Sequence, residues 1–267
     1  MFIGIIKAIV LGVVEGVTEF LPISSTGHLI LINRWINFSP SFTAMFDVVI
    51  QLGAVLAVVI YFWPRLWPFG KDQARRQTTL KIWSKTIIGV VPAIVLGGLF
   101  GKMIEDKLFS PWVVAIMLLF GGVIILYLEK KHLYVRFNSV HEIPLQTAFL
   151  IGLIQCLSMI PGTSRAAATI IGAIILGASR TAAVEFSFFL AIPTMVAAAG
   201  YSLLKHGAAM TSAELIILIT GFVVAFIVAL IVIKLFLNYI KQRNLRPFGY
   251  YRMAIGTLIL IFFLFLK

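Results

Sequence analysis

Glu15 and Glu19 stand four residues apart in the stretch EGVTEFLPISSTGHL, Glu15–Leu29, within a run otherwise rich in Ile, Val and Leu. On a helix that spacing puts both carboxylates on one face. Ionised carboxylates facing lipid are costly, so the pair must meet a polar cavity, a cation or a proton. Three uses fit: holding a divalent cation, acid–base work, or hydrogen bonds that only fix packing against an opposing segment. Pro22 then ends the helix, and Ser24, Ser25 and Thr26 offer hydroxyls to cap a new one, with Gly27 allowing close backbone approach. Backbone N–H groups opening a helix make an anion site. A capped turn would account for the hydroxyls alone. It leaves His28 unexplained, a side chain that can move a proton near neutral pH.

A second stretch, PGTSRAAAT (Pro161–Thr169), repeats the arrangement. Gly162, Thr163 and Ser164 form a turn, Thr163 and Ser164 cap a helix, and Arg165 lies in its first turn. A cation is poorly placed at that end of a helix dipole, so an anion should lie nearby. Either Glu15 or Glu19 pairs with Arg165, or the guanidinium fork grips phosphate oxygens, or the two alternate. Carboxylates for a metal, a helix N-terminus and arginine for phosphate, a hydroxyl and a histidine together suit phosphoryl transfer.

The elements that must position these groups follow from composition. The chain has 267 residues, 61% hydrophobic and 12% charged, where soluble domains carry about 25% charged residues. Several runs approach the roughly 20 apolar residues that span a bilayer. The expectation is an all-α polytopic membrane protein, a single domain over 1–267. Six segments are long enough to cross: Met45–Trp63, Ser84–Gly101, Trp112–Leu128, Ala182–Leu203, Glu214–Leu237 and Tyr250–Leu266. Phe2–Ile32 and Leu145–Leu176 each hold two short apolar pieces around a polar, Pro-containing centre, and read as re-entrant helical hairpins. In such a setting the natural substrate is a phosphate or diphosphate carried on a lipid. No cleavable signal is expected, because the first segment lacks a basic start. The single cysteine, Cys156, reads as a buried packing residue.

The formal charge of +12 does not point to nucleic acid, because the basic residues cluster between apolar segments. Arg65, Lys71, Arg75, Arg76, Lys81 and Lys85 mark one cytoplasmic loop; Lys130, Lys131 and Arg136 a second; Lys234, Lys241, Arg243 and Arg246 a third. The Lys102–Ser110 loop, with Glu105 and Asp106 against two lysines, fits the outside. Both termini then lie outside, and the two hairpins enter from opposite faces. The halves, approximately 1–128 and 145–267, also resemble one another. Gly12–Thr26 aligns with Gly152–Arg165 if one residue is skipped before the proline, pairing Glu15 with Gln155, Pro22 with Pro161 and Ser25 with Ser164. Downstream, Asp47 falls against Glu185, and IGVVPAIVLG from Ile88 against TGFVVAFIVA from Thr220. Each half has one hairpin and three crossings, so the expectation is an inverted-topology repeat with a shared site near the midplane.

EGVTEFLPISSTGH and PGTSR resemble the two signature motifs of the bacterial undecaprenyl-diphosphatase, or bacitracin-resistance, family, and the likeness extends through FSFFLAIP (Phe186–Pro193). The resemblance implies an integral enzyme of the bacterial cell (inner) membrane with two opposed hairpins and a site open to the external, periplasmic face. It implies removal of the terminal phosphate of undecaprenyl diphosphate, recycling the carrier lipid for peptidoglycan and other envelope polymers, with help from Mg²⁺ or Ca²⁺. It also suggests dimers. On this sequence it assigns Glu15 and Glu19 to the acidic motif and the metal, Ser25 and His28 to the serine and histidine, and Ser164, Arg165 and Thr169 to the arginine motif. Ser24, Thr26, Gly27, Gly162 and Thr163 complete the phosphate-binding turns. One departure stands out: the family commonly reads SRSGAT where this chain reads SRAAAT, so Ala166 and Ala167 replace a Ser and a Gly. Ser25 attacking phosphorus, with His28 or Glu19 taking its proton, and a metal-activated water are both open mechanisms. The competing readings are a transporter or flippase of a phosphorylated polyprenyl lipid, built on the same repeat, and a phosphohistidine-type membrane phosphatase, whose further His and Asp are missing after SR.

Overall fold

A computed structural model describes residues 1–69, 72–131, 133–206 and 210–265. The described residues are almost entirely helical: α1 Phe2–Thr18, α2 Ser25–Ile32, α3 Pro40–Tyr61, α4 Trp63–Leu66, α5 Gln73–Leu108, α6 Pro111–Leu128, α7 Leu145–Gln155, α8 Arg165–Ile175, α9 Arg180–His206, α10 Ser212–Gln242 and α11 Arg246–Phe265. Six of these, α3, α5, α6, α9, α10 and α11, are long and apolar enough to cross a membrane. They contain the six expected crossings, apart from chain-end and boundary residues; Leu266, like Lys71, lies outside the described residues. The protein is a multi-pass membrane protein.

The boundaries carry a correction. Arg75, Arg76, Lys81 and Lys85 belong to α5, and so do Lys102–Leu108, where loops were expected. A helix needs no apolar side chains to continue its backbone hydrogen bonds, so α5 runs past the bilayer-sized segment at both ends. Lys234 and Lys241 likewise lie in α10. Lys85 is buried, and its ammonium donates to the carbonyls of Val140 (3.0 Å) and His141 (2.5 Å).

Burial separates the inner helices from the outer ones. Of α9's most apolar window 67% is buried, against 17% for α5, so α9 is central and α5 turns most of its surface to lipid. The core around α9 gathers Phe186, Phe188 and Phe189 with Phe20, Phe62 and Phe236. Phe20 meets Phe188 edge-to-face at 5.1 Å, which ties the first polar turn to α9.

The two short-helix pairs sit in matching surroundings. α1 packs on α10 and α7 on α5, while α3 packs on α9 and α6 on α11, a pattern unchanged when the halves are exchanged. Glycines set the closest approaches. A Cβ on Gly12 would lie 2.7 Å from the Gly221 carbonyl oxygen, and one on Gly152 would overlap the Gly89 carbonyl. Gly12 aligns with Gly152 and Gly221 with Gly89, so the same crossing is built twice. Without a hydrophobic drive between helices in lipid, such backbone contact is a main source of helix association.

The register through the turns differs from the expected one. Ser24 and Ser164 are the N-caps of α2 and α8, with φ of 72° and 69°, and each accepts from the amide three residues on. They are separated by the same number of residues as Gly12 and Gly152, so no residue is skipped. Pro22 therefore corresponds to Gly162 and Ser25 to Arg165. Matching proline to proline misled because the turns are related by backbone conformation, not by residue type.

Candidate active site

The site is assembled where the two turns meet α9. α1 ends at Thr18, and Glu19 follows as its C-cap in helical conformation, so Glu15 and Glu19 keep their shared face. The chain turns through Pro22, and Ser24 caps α2, its Oγ accepting from Gly27 N at 3.3 Å. Ser24 is thus the cap, Ser25 opens the helix, and Thr26 makes no side-chain bond as a cap. In the second turn Gly162 has φ +92°, and a Cβ there would lie 2.5 Å from the Val114 carbonyl oxygen of α6. Only glycine fits both conditions. Ser164 then caps α8, accepting from Ala167 N at 3.1 Å, and Arg165 is the first helical residue.

Arg165 links the halves. Its Nη2 donates to Glu19 Oε1 at 3.0 Å, and Nη1 to the Ser187 carbonyl at 2.9 Å and Ser187 Oγ at 3.3 Å. Its guanidinium also stands over the Phe20 ring, 5.8 Å from the centroid. The ion pair is nearly sealed, with side-chain exposures of 8% and 5%. Glu19 uses its other oxygen, Oε2, to accept the Ser25 hydroxyl at 2.7 Å. A hydroxyl, a carboxylate and a guanidinium therefore form one chain of charge-assisted hydrogen bonds.

His28 is not part of that chain. Its Nδ1 lies 2.7 Å from the Ser24 carbonyl, which can only accept, so Nδ1 carries the proton. Nε2 lies 2.7 Å from the Tyr251 hydroxyl, which donates to it in the neutral ring. The ring planes of His28 and Tyr251 differ by 8°. Both imidazole nitrogens are thus committed away from Ser25, and of the two candidate bases only Glu19 touches the serine.

Thr169 is wholly buried behind Arg165. Its Oγ1 lies 2.6 Å from Ser187 Oγ and 2.9 Å from the Arg165 carbonyl, so it braces Ser187, which in turn holds the guanidinium. Ala166 is fully buried and Ala167 nearly so, so a serine hydroxyl at position 166 would need a hydrogen-bond partner inside the protein. Gly27 packs on α6, where a Cβ would sit 3.0 Å from Leu118 Cδ1. Several buried polar atoms lack partners: both Glu15 oxygens, Thr163 Oγ1, Arg165 Nε and the Gln155 side-chain amide.

The chain matches the sequence profile described as Bacitracin resistance protein BacA over residues 8–258. This chain belongs to the BacA family. It is 47% identical over 269 residues to the undecaprenyl-diphosphatase of Lachnoclostridium phytofermentans, covering 98% of both chains. Identity is also 47% to undecaprenyl-diphosphatase 1 of Clostridioides difficile (98% of this chain, 97% of that one) and to an undecaprenyl-diphosphatase of Enterococcus faecalis (97% of each).

In this BacA-family chain the orphaned Glu15 carboxylate is the observation against which a metal can be tested. Both its oxygens are buried and accept from no N–H or hydroxyl donor, while the Glu19 carboxyl lies near enough to bond it when either group carries a proton. No cluster of three or more His, Cys, Asp or Glu suited to a metal occurs among the described residues. Mg²⁺ is typically held by one or two carboxylates together with substrate phosphates, so this donor set fits an ion completed by substrate. Ca²⁺, which takes more oxygens, would draw more of them from the substrate.

Ser187, Tyr251 and the Asn33–Asp47 pair (Nδ2 to Oδ2, 2.6 Å) carried no sequence signal beyond Ser187's place in FSFFLAIP and Asp47's alignment with Glu185. Cys156 is half-buried, and its thiol donates to the Gly152 carbonyl at 3.3 Å. Two cavities, about 380 and 300 Å³, lie elsewhere, beside Glu129 and Arg180 and beside Arg65 and Glu185. At the site itself the Arg165 guanidinium is engaged by Glu19 and Ser187.

Proposed function

We propose that this site hydrolyses undecaprenyl diphosphate to undecaprenyl phosphate and inorganic phosphate. The observation that carries the reading is the Ser25–Glu19–Arg165 chain, buried between two turns that each open a helix. The diphosphate displaces Glu19 from Arg165, and the guanidinium then takes phosphate oxygens in place of carboxylate oxygen. Arg165 Nε and Thr163 Oγ1, which lack partners, complete that grip. Ser25 Oγ forms a bond to the terminal phosphorus as its proton passes to Glu19 Oε2. The bond from that phosphorus to the bridging oxygen breaks, and undecaprenyl phosphate leaves. Water then attacks the phosphoserine, the proton returns to Ser25, and inorganic phosphate is released. Arg165 and the turn amides meet charge as it develops, the usual source of most catalysis in phosphoryl transfer.

A divalent cation, when bound, supplies charge neutralisation across the diphosphate; Glu15, with Glu19, would hold it. His28 keeps the Ser24 carbonyl, and so the cap of α2, in place. The same reading puts the protein in the bacterial inner membrane as a homodimer, with opposed hairpins, both termini and the site's opening on the external face. Bacitracin resistance and renewal of the carrier for peptidoglycan follow from the reaction. Loop-charge orientation is checked by impermeant labelling of single cysteines placed at Asn37 and Arg243 after Cys156→Ser.

The deciding experiment is phosphate release by purified protein given undecaprenyl diphosphate and Mg²⁺, followed by mass analysis for phosphoserine. Metal-dependent release with phosphate on Ser25 supports the mechanism. Ser25→Ala with near-parent turnover would remove the covalent route and leave water as nucleophile. Lipid bound without any release would turn the reading toward lipid translocation.

A further inference from the structure

Arg252, on α11, is fully buried, yet among the described residues it forms no ion pair. Burying a guanidinium without a carboxylate is expensive, so the fold must use it for something packing alone would not supply. Its donors go to four backbone carbonyls. Nε reaches Leu118 O at 3.3 Å and Nη2 reaches Met117 O at 3.0 Å, both on α6. Nη1 reaches Pro22 O at 3.3 Å, and Nη2 also reaches Gly162 O at 3.1 Å. These last two carbonyls belong to the two active-site turns, and they are the equivalent positions of the two halves. Ser25 and Arg165 each stand three residues beyond the carbonyl that Arg252 holds.

The turns need such a brace. Between α1 and α2 the only backbone bond within the turn is Ile23 N to Leu21 O, and the second turn has Ile160 N to Leu157 O and Thr163 N to Ile160 O. Apart from the Glu19–Arg165 ion pair and the bonds of Arg252, no hydrogen bond among the described residues fixes the distance of one turn from the other. The rigid, planar fork of arginine can, because one group bonds both turns and α6 at once. The space for it is reserved by Gly121: a Cβ there would lie 2.8 Å from Arg252 Cζ and 2.9 Å from Nε.

We propose that Arg252 is a positioning residue that clamps the Pro22 and Gly162 carbonyls and so sets the spacing of Ser25 from Arg165. The kinetic half of this statement rests on the phosphatase reading; the structural half does not. The test combines hydrogen–deuterium exchange in detergent with steady-state kinetics on Arg252→Met, Arg252→Lys and Gly121→Ala. Gly121→Ala displaces the guanidinium while keeping its charge, and serves if Arg252→Met folds poorly. In Arg252→Met and Gly121→Ala, amides of both turns exchange faster together while α10 keeps its protection. The kcat falls roughly 100-fold, as for an ångström-scale misplacement of reacting groups, with little change in KM. Lysine keeps the charge but not the fork, so Arg252→Lys behaves like Arg252→Met. Exchange rising in one turn only, or throughout the chain, overturns the clamp, as does full recovery with lysine. A raised KM with unchanged exchange would make Arg252 a substrate contact instead. If the parent protein releases no phosphate, the phosphatase reading fails, and the exchange pattern still decides the clamp.

Discussion

Glu19→Gln separates two tasks that one carboxylate performs. In the native chain Oε1 accepts from Arg165 at 3.0 Å and Oε2 from Ser25 at 2.7 Å. The amide keeps the shape but has a single accepting oxygen, so one partner now faces an NH₂ group. Neither orientation leaves a base beside Ser25, and turnover falls by about 10²- to 10⁴-fold. Binding moves the other way. In the proposed reaction a phosphate displaces Glu19 from Arg165, and a hydrogen bond to a charged group contributes about 1.5–3 kcal/mol. Removing that competitor tightens lipid binding by roughly 10- to 150-fold. The binding arm is a titration with undecaprenyl diphosphate in chelator, so that it reads the guanidinium and not a metal. The kinetic arm is phosphate release with Mg²⁺ restored. A variant that turns over within about tenfold of its parent refutes Glu19 as the base. Weaker lipid binding in chelator refutes the idea that the ion pair holds the site shut.

Glu15→Gln replaces a buried carboxyl whose oxygens have no donors. It should leave the metal-free protein at least as heat-stable in detergent while raising the Mg²⁺ needed for half-maximal activity; unchanged metal dependence removes Glu15 from the metal site. Tyr251→Phe leaves the His28 bond to Ser24 in place and should lower stability in detergent melting by about 1 kcal/mol with phosphate release near the parent's; a large loss of turnover would give Tyr251 a part in the reaction. Gly152→Ala forces a Cβ into the Gly89 carbonyl, with backbone on both sides, and should destabilise by about 3 kcal/mol or more in detergent melting. Gly98→Ala is its contrast, since nothing lies within 4 Å, and should gain up to about 1 kcal/mol from helix propensity.

Sequence by itself determined the elements and the chemical inventory of this protein. Apolar runs of bilayer length gave the six crossings, because a backbone in lipid must satisfy its hydrogen bonds within the helix. The two interrupted segments became pairs of short helices around polar turns, and Glu15 and Glu19 kept one face because helical spacing is local. Pairwise chemistry was not legible in the same way. Glu19 meets Arg165, Tyr251 meets His28, and Arg252 meets Pro22 and Gly162 across separations of 90 to 230 residues, and no periodicity encodes which side chain arrives where. The histidine three residues beyond Ser25 turned to its own helix cap and a tyrosine, and the carboxylate beside Ser25 came from the end of the preceding helix. The likeness of the two turns lies in the matching backbone angles at Ser24 and Ser164, which residue types conceal. Local periodicity is written into a chain directly; which distant groups share a buried site is decided only when the helices pack.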